Sequence, residues 1–189
     1  MGCLLLSSVM AFSSCNTNGS KEQTPQTEVA AITVLQVDDV LGKASNILGE
    51  EIEVEGVCTH ICKHGGRKIF LMGSDDTRTI RIEAGKEIGK FGPETLNNIV
   101  RVKGTLVEER IDEAYLQRWE AQVANQAEEK HGTSEAGCSS EQKARNEQVG
   151  TTINDRIAAF RKRIAERKEK EGKEYLSFYH INGTSYQVD

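Results

Sequence analysis

In short stretches between Glu51 and Val107, such as Glu51–Glu55, Thr79–Glu83 and Ile99–Val107, apolar side chains recur at every second position, and in two stretches after Ile111 they recur at every third or fourth. A period of two belongs to a strand with one buried face, and a period near 3.6 to a helix. The pattern predicts a fold that is mainly β with α. Glu51-Ile52-Glu53-Val54-Glu55 alternates charged with apolar, and Lys68–Met72, Thr79–Glu83 and Ile99–Val107 give three further strands. Tyr175–Asn182, apolar and aromatic, reads as a fifth strand. Ahead of them, Ile32–Leu35 reads as a short edge strand. Asp38 reads as the N-cap of a helix carrying Val40, Leu41, Ala44, Ile47 and Leu48, with Gly49 as its stop.

Between the fourth and fifth strands lie two helical patterns. Ile111, Tyr115, Trp119 and Val123 mark one that ends near Gln126, and Val149, Ile153, Ile157, Phe160 and Ile164 mark another over 146–171. The second is heptad-like, so the two are expected to pair as a hairpin over 111–172. The polar stretch 127–145 between them reads as a disordered connector.

Three strands, a helical turn at Pro93–Asn97, a fourth strand and a late fifth one resemble the OB-fold, a small five-stranded Greek-key barrel. The resemblance covers about Glu51–Val107 and Tyr175–Asp189, with Gly56 inside the first strand adding to it. It implies a barrel over 30–110 and 173–189, with the helical hairpin inserted between strands four and five.

The N-terminus bears on location. Leu4–Phe12 is a short apolar run followed by Ser13-Ser14-Cys15, which resembles a bacterial lipoprotein signal with Cys15 as the lipid-bearing residue. The expected organisation is a signal over 1–14 and a flexible polar stalk over 15–29. No Lys or Arg precedes the apolar run, a departure that places the expected start upstream of Met1. Taken together, the chain resembles small OB-fold lipoproteins of the bacterial envelope, a group tied to no one activity. That resemblance implies lipid attachment to a membrane and a domain facing the periplasm.

A formal net charge of -5 argues against a nucleic-acid partner, which needs a basic footprint. The strands also lack aromatic stacking platforms. No Ser-His-Asp arrangement, P-loop or dinucleotide fingerprint occurs, so nothing points to an enzyme.

The concentrated chemistry lies in Cys58-Thr59-His60-Ile61-Cys62-Lys63-His64-Gly65-Gly66-Arg67-Lys68. On a regular strand Cys58, His60, Cys62 and His64 share one face, ahead of a two-residue turn at Gly65-Gly66. Thiolate and imidazole suit Zn or Cu. The ends of the row stand roughly 20 Å apart on a straight strand, so two or three neighbours at most would share an ion. His180 on the last strand is a further candidate donor, and His131 and Cys138 are candidates to fold over the row. The opposing reading is structural. A turn at Gly65-Gly66 would pair Cys62 with Ile69 and His60 with Leu71, and Ile52 and Val54 share the row's parity, so the cysteines would be core residues. A bulge at Gly56 would flip that parity and turn the row outward. Thiol redox chemistry is a third reading. Gly65, Gly66, Arg67 and Lys68 form a candidate anion-binding loop, since glycine amides and basic side chains favour carboxylate or phosphate.

The function expected is a lipid-anchored binding module taking a soft metal ion or a metal-bearing cofactor. The alternative is an assembly lipoprotein whose helical hairpin pairs with an envelope partner or a second copy.

Overall fold

The structure, a computed structural model, describes residues 33–63, 65–129, 138–149 and 152–189. The signal over 1–14, Cys15, the stalk over 15–29, His64 and His131 therefore lie outside the described residues. In order the elements are β1 (Val34–Gln36), α1 (Val37–Lys43), β2 (Glu51–Ile61), β3 (Lys68–Met72), β4 (Thr79–Ala84), a 3-10 turn at Pro93–Thr95 and β5 (Ile99–Ile111). There follow α2 (Glu113–Glu129), α3 (Ser139–Ala144), α4 (Ile153–Glu171) and β6 (Leu176–Val188).

The strands run β2-β3-β4-β6-β5, and β5 pairs back onto β2. This is a closed five-stranded barrel, compatible with an OB-like barrel. β1 adds to it as a parallel strand on β2. The β4–β6 pair is parallel and the other barrel pairs are antiparallel. Alternate residues fill the interior: Ile52, Val54, Ile69, Leu71, Ile80, Ile82, Val100, Val102, Leu106 and Ile181 are all buried. Val37, Val40 and Ala44 of α1 join the same cluster. Asp38 is not the cap of α1, which begins one residue earlier after Gln36. Its carboxylate instead accepts from Ser74 N at 2.7 Å and from Arg78 Nε at 2.9 Å, tying α1 to the β3–β4 connection.

Two departures from strict alternation set up the site. The first is a bulge at Thr59. Cys58 faces Leu71 and His60 faces Phe70, so Thr59 is an extra residue on β2. The bulge falls at Thr59 and not at Gly56. Glycine is needed at position 56 for close packing, because a Cβ there would lie 2.9 Å from both Met72 O and Val37 Cγ2. The second is the β2–β3 loop. Ile61 pairs with Ile69 and Cys62 N donates to Lys68 O, so the loop runs from Lys63 to Arg67. Gly66 N donates to Cys62 O at 3.1 Å, a helical-turn bond that a two-residue turn lacks. Both Gly65 (φ 86) and Gly66 (φ 64) take left-handed conformations open to glycine.

β5 and β6 pair along twelve positions, from Val100–Val188 to Ile111–Leu176, and their far ends pair only with each other. On this two-stranded ribbon α2 and α4 form a second core, in which Ile111, Leu116, Ile157, Phe160 and Leu176 are buried and Trp119, Ile153, Ile164 and Phe178 pack around them. α4 begins at Ile153 and not near Asn146, so Val149 lies exposed outside it, while Ile153, Ile157, Phe160 and Ile164 turn to the ribbon and to α2. Among the described residues three helices, not two, occupy the segment after β5, since the stretch read as a disordered connector carries α3.

Gly56→Ala is expected to lower stability by about 1–3 kcal/mol through overpacking against Met72 and Val37. Gly42→Ala, in α1 with nothing within 4 Å, should raise it by about 0.5–1 kcal/mol. Thermal unfolding of the two variants checks the opposite signs.

Candidate functional site

The bulge at Thr59 splits the Cys/His row between two faces. Cys58 is fully buried in the barrel core, its Sγ 3.6 Å from His60 O, and burial pushes its thiol pKa up. It is a core residue and leaves the predicted ligand set. His60 and Cys62 fall on the outer face, where both are half-buried. The His60 ring lies 5.8 Å from that of Phe70, centroid to centroid. Burial, with Lys63 adding to it, holds the imidazole pKa below its usual value.

Cys138, at the start of α3, reaches this face. Its Sγ lies 3.5 Å from His60 Nε2. The Cys62 and Cys138 thiols are free and line one cavity of about 570 Å³. Arg67, Lys68, Phe70 and Glu83 complete its barrel side, and Tyr115, Trp119, Glu141, Arg145 and Arg156 its helical side.

His180 does not join them. β6 sits between β4 and β5 and does not pair with β2; at the level of the site the pairs His180–Arg81, Arg81–Phe70 and Phe70–His60 lead from His180 to His60 across β4 and β3. Three strand spacings put it roughly 14 Å away across the sheet. It stands beside Arg81 in the β4–β6 pair, with Nδ1 buried and, among the described residues, without a hydrogen-bond partner. Burial, and then Arg81, keep its pKa low.

The glycine loop also differs from an anion cradle. Gly65 N donates to Lys63 O and Gly66 N to Cys62 O, so both amides are engaged within the loop. Arg67 and Lys68 do line the cavity, Lys68 3.5 Å from Glu83.

Beneath α3 lies a network of charges. Arg81 of β4, 7 % exposed, meets Glu83 at 3.2 Å, Glu109 of β5 at 3.0 Å and Glu141 of α3. Arg145, 8 % exposed, meets Glu109 at 2.8 Å and Glu141 at 3.2 Å. Burial opposes ionisation of Glu109, but Arg145 and Arg81 outweigh it and hold its carboxyl below the ordinary glutamate range. Arg156 pairs with the buried Glu147 and lies 4.8 Å from the centroid of the Trp119 ring. Sequence reasoning missed Arg81, Glu109, Glu141 and Arg145. The one available signal was Arg81 between Ile80 and Ile82, which reads equally well as a solvated strand position.

Among the described residues no three His, Cys, Asp or Glu side chains stand close enough to hold a metal ion as placed. No helix among them is long and apolar enough to cross a membrane.

No family model and no curated protein matches the chain. Among solved structures, a candidate aspartyl-tRNA synthetase from Leishmania major Friedlin is 12% identical with a TM-score of 0.29. That match covers 44% of this chain and 17% of the other. A DUF3299 family protein from Pseudomonas aeruginosa PAO1 is 14% identical with a TM-score of 0.27, over 37% of this chain and 54% of the other. At such scores the fold is described by its own strands.

Two outcomes follow from this geometry. Alkylation of the folded chain, read peptide by peptide in a mass spectrometer, should modify Cys62 and Cys138 and spare Cys58 until the protein unfolds. Modification of Cys58 at a similar rate would contradict the bulge. Because the Glu109 pKa is depressed by folding, its contribution is present above the unfolded value and lost as pH falls through the folded one. Glu109→Gln should therefore cost about 2 kcal/mol at neutral pH, as a partly buried pair partner is removed. It should also flatten the loss of stability below the ordinary glutamate range in urea unfolding curves recorded against pH.

Proposed function

We propose that this chain is a ligand-binding module whose ligand is a soft metal ion, zinc or copper, or a small cofactor bearing one. His60, Cys62 and Cys138 are its donors. The observation that supports this is the 3.5 Å between His60 Nε2 and Cys138 Sγ. Zinc holds sulfur at about 2.3 Å and imidazole nitrogen at about 2.0–2.1 Å, so two such donors at a tetrahedral angle stand about 3.5 Å apart. Without metal the same separation suits a thiol donating to imidazole. Cys62 lines the same cavity and becomes the third donor after side-chain rotation. The lowered pKa of His60 favours the neutral imidazole that binds metal. Cys58 and His180 have no part in this set. The envelope location and the lipid on Cys15 belong to the proposal through the N-terminal resemblance, and concern where the module acts.

The test is elemental analysis of protein purified anaerobically without a His-tag, beside a Cys62→Ser/Cys138→Ser double variant. About one zinc or copper per chain, absent from the double variant and retained by Cys58→Ala, is the expected result. Absence of metal together with no binding on adding zinc or Cu(I) back would overturn the reading, as would equal retention by the double variant.

A further inference from the structure

The three described cysteines are divided in a way that metal ligation by itself does not use. Cys62, just past the end of β2, and Cys138, just before α3, are free thiols lining one cavity. Cys58 is free as well but fully buried in the barrel core. His60 ties the first two together. It stands two residues before Cys62 on the same outer face, about 7 Å back along the strand. Its Nε2 lies 3.5 Å from Cys138 Sγ. Two oxidisable sulfurs from elements distant in sequence thus share one small neighbourhood, and the third is kept out of it.

A disulfide requires Cα atoms within about 7 Å of each other, so the two free thiols must approach before they can join. The strand side is fixed. Cys62 N donates to Lys68 O at 2.8 Å and continues the β2–β3 ladder. The helix side can yield. α3 is six residues long, and the ion pairs that seat it begin at Glu141, three residues beyond Cys138. Cys138 joins the helix through its carbonyl, which accepts from Gln142 N at 3.1 Å. A change in the backbone ahead of Glu141 therefore moves the thiol while the seat of α3 on Arg81 is kept.

We infer that Cys62 and Cys138 form a reversible disulfide, and that this bridge turns the metal site off. The oxidant is a low-molecular-weight disulfide, RSSR. One protein thiolate attacks a sulfur of RSSR, forming a mixed disulfide and releasing the first RS⁻. The other protein thiolate attacks the protein sulfur of that mixed disulfide, closes the bridge and releases the second RS⁻. Two cysteine thiols are oxidised by two electrons, RSSR is reduced to two RSH, and the two cysteine protons end on them. A bound zinc ion keeps its charge throughout and departs because both sulfur donors are lost, leaving His60 as its one ligand. The pairing itself needs no metal; its effect on zinc rests on the ligand set proposed above. Cys58, packed beside Leu71, takes no part.

The test has two stages. In the first, the full chain is held with a chelator in mixtures of reduced and oxidised glutathione, quenched in acid and mapped by peptide mass spectrometry. The expected product is a chain short of two hydrogens whose linked peptides join Cys62 to Cys138. It should outnumber mixed disulfides with glutathione about tenfold or more, since the second exchange is intramolecular. Cys58→Ala should leave this ratio unchanged, and Cys62→Ser should stop at a mixed disulfide on Cys138. Mixed disulfides on both thiols without a bridge, or bridges to Cys58 in equal amount, would overturn the inference. In the second stage the zinc-loaded chain is oxidised with glutathione disulfide beside a zinc-sensitive dye. About one zinc should be released per bridge formed and taken up again on reduction. Zinc retained by the bridged chain would overturn the switch. A chain that bridges but never holds zinc would remove the metal reading and the switch with it, and leave the disulfide. One that holds zinc and forms no bridge would remove this inference and leave the metal reading in place.

Discussion

Arg81 rises from β4 on the barrel's outer wall and meets carboxylates from three elements: Glu83 on its own strand, Glu109 on β5 and Glu141 on α3. Arg145, just past the end of α3, returns to Glu109 and Glu141 and closes the network. α3 is six residues long, too short to persist alone, and its one apolar residue is Ala144. Charge pairing is therefore what seats it. Buried ion pairs are poor sources of net stability, because desolvation offsets much of their attraction. Here they fix a position: Cys138 begins α3, so the seat of α3 decides whether that thiol meets His60.

The second determinant is the extra residue Thr59. Without it Cys58, His60 and Cys62 would share a face, either all in the core or all outside. With it one thiol packs beside Leu71 as a small hydrophobe, the imidazole turns to the outer face and the other thiol lines the cavity. The three cysteines beyond Cys15 thus have different surroundings for reasons that lie in the backbone.

Much of the barrel was legible. Four strands, the turn at Pro93 and both long helices follow from periods of two and of about four, because each buries one face and the sequence records it. Strand neighbours are another matter. Alternation tells which face a residue takes and not which strand lies beside it, so His180 was placed next to β2 when β6 borders β4 and β5. A one-residue bulge leaves no compositional mark at Thr59. α3 escaped notice because tertiary ion pairs hold it and no apolar stripe announces it. Arg81 escaped for the complementary reason, since an arginine between two isoleucines reads as facing water when nothing shows a helix above it. The heptad-like spacing of α4 was real, and its apolar face packs on the β5–β6 ribbon.

The central claim is that donors from β2 and from the start of α3, some eighty positions apart in sequence, share one ion. X-ray absorption at the metal edge of the zinc-loaded chain tests it most directly. The account predicts a shell with two sulfurs near 2.3 Å and at least one nitrogen near 2.0–2.1 Å, with imidazole scattering behind it. A shell of nitrogen and oxygen alone, or one with a single sulfur, would contradict it.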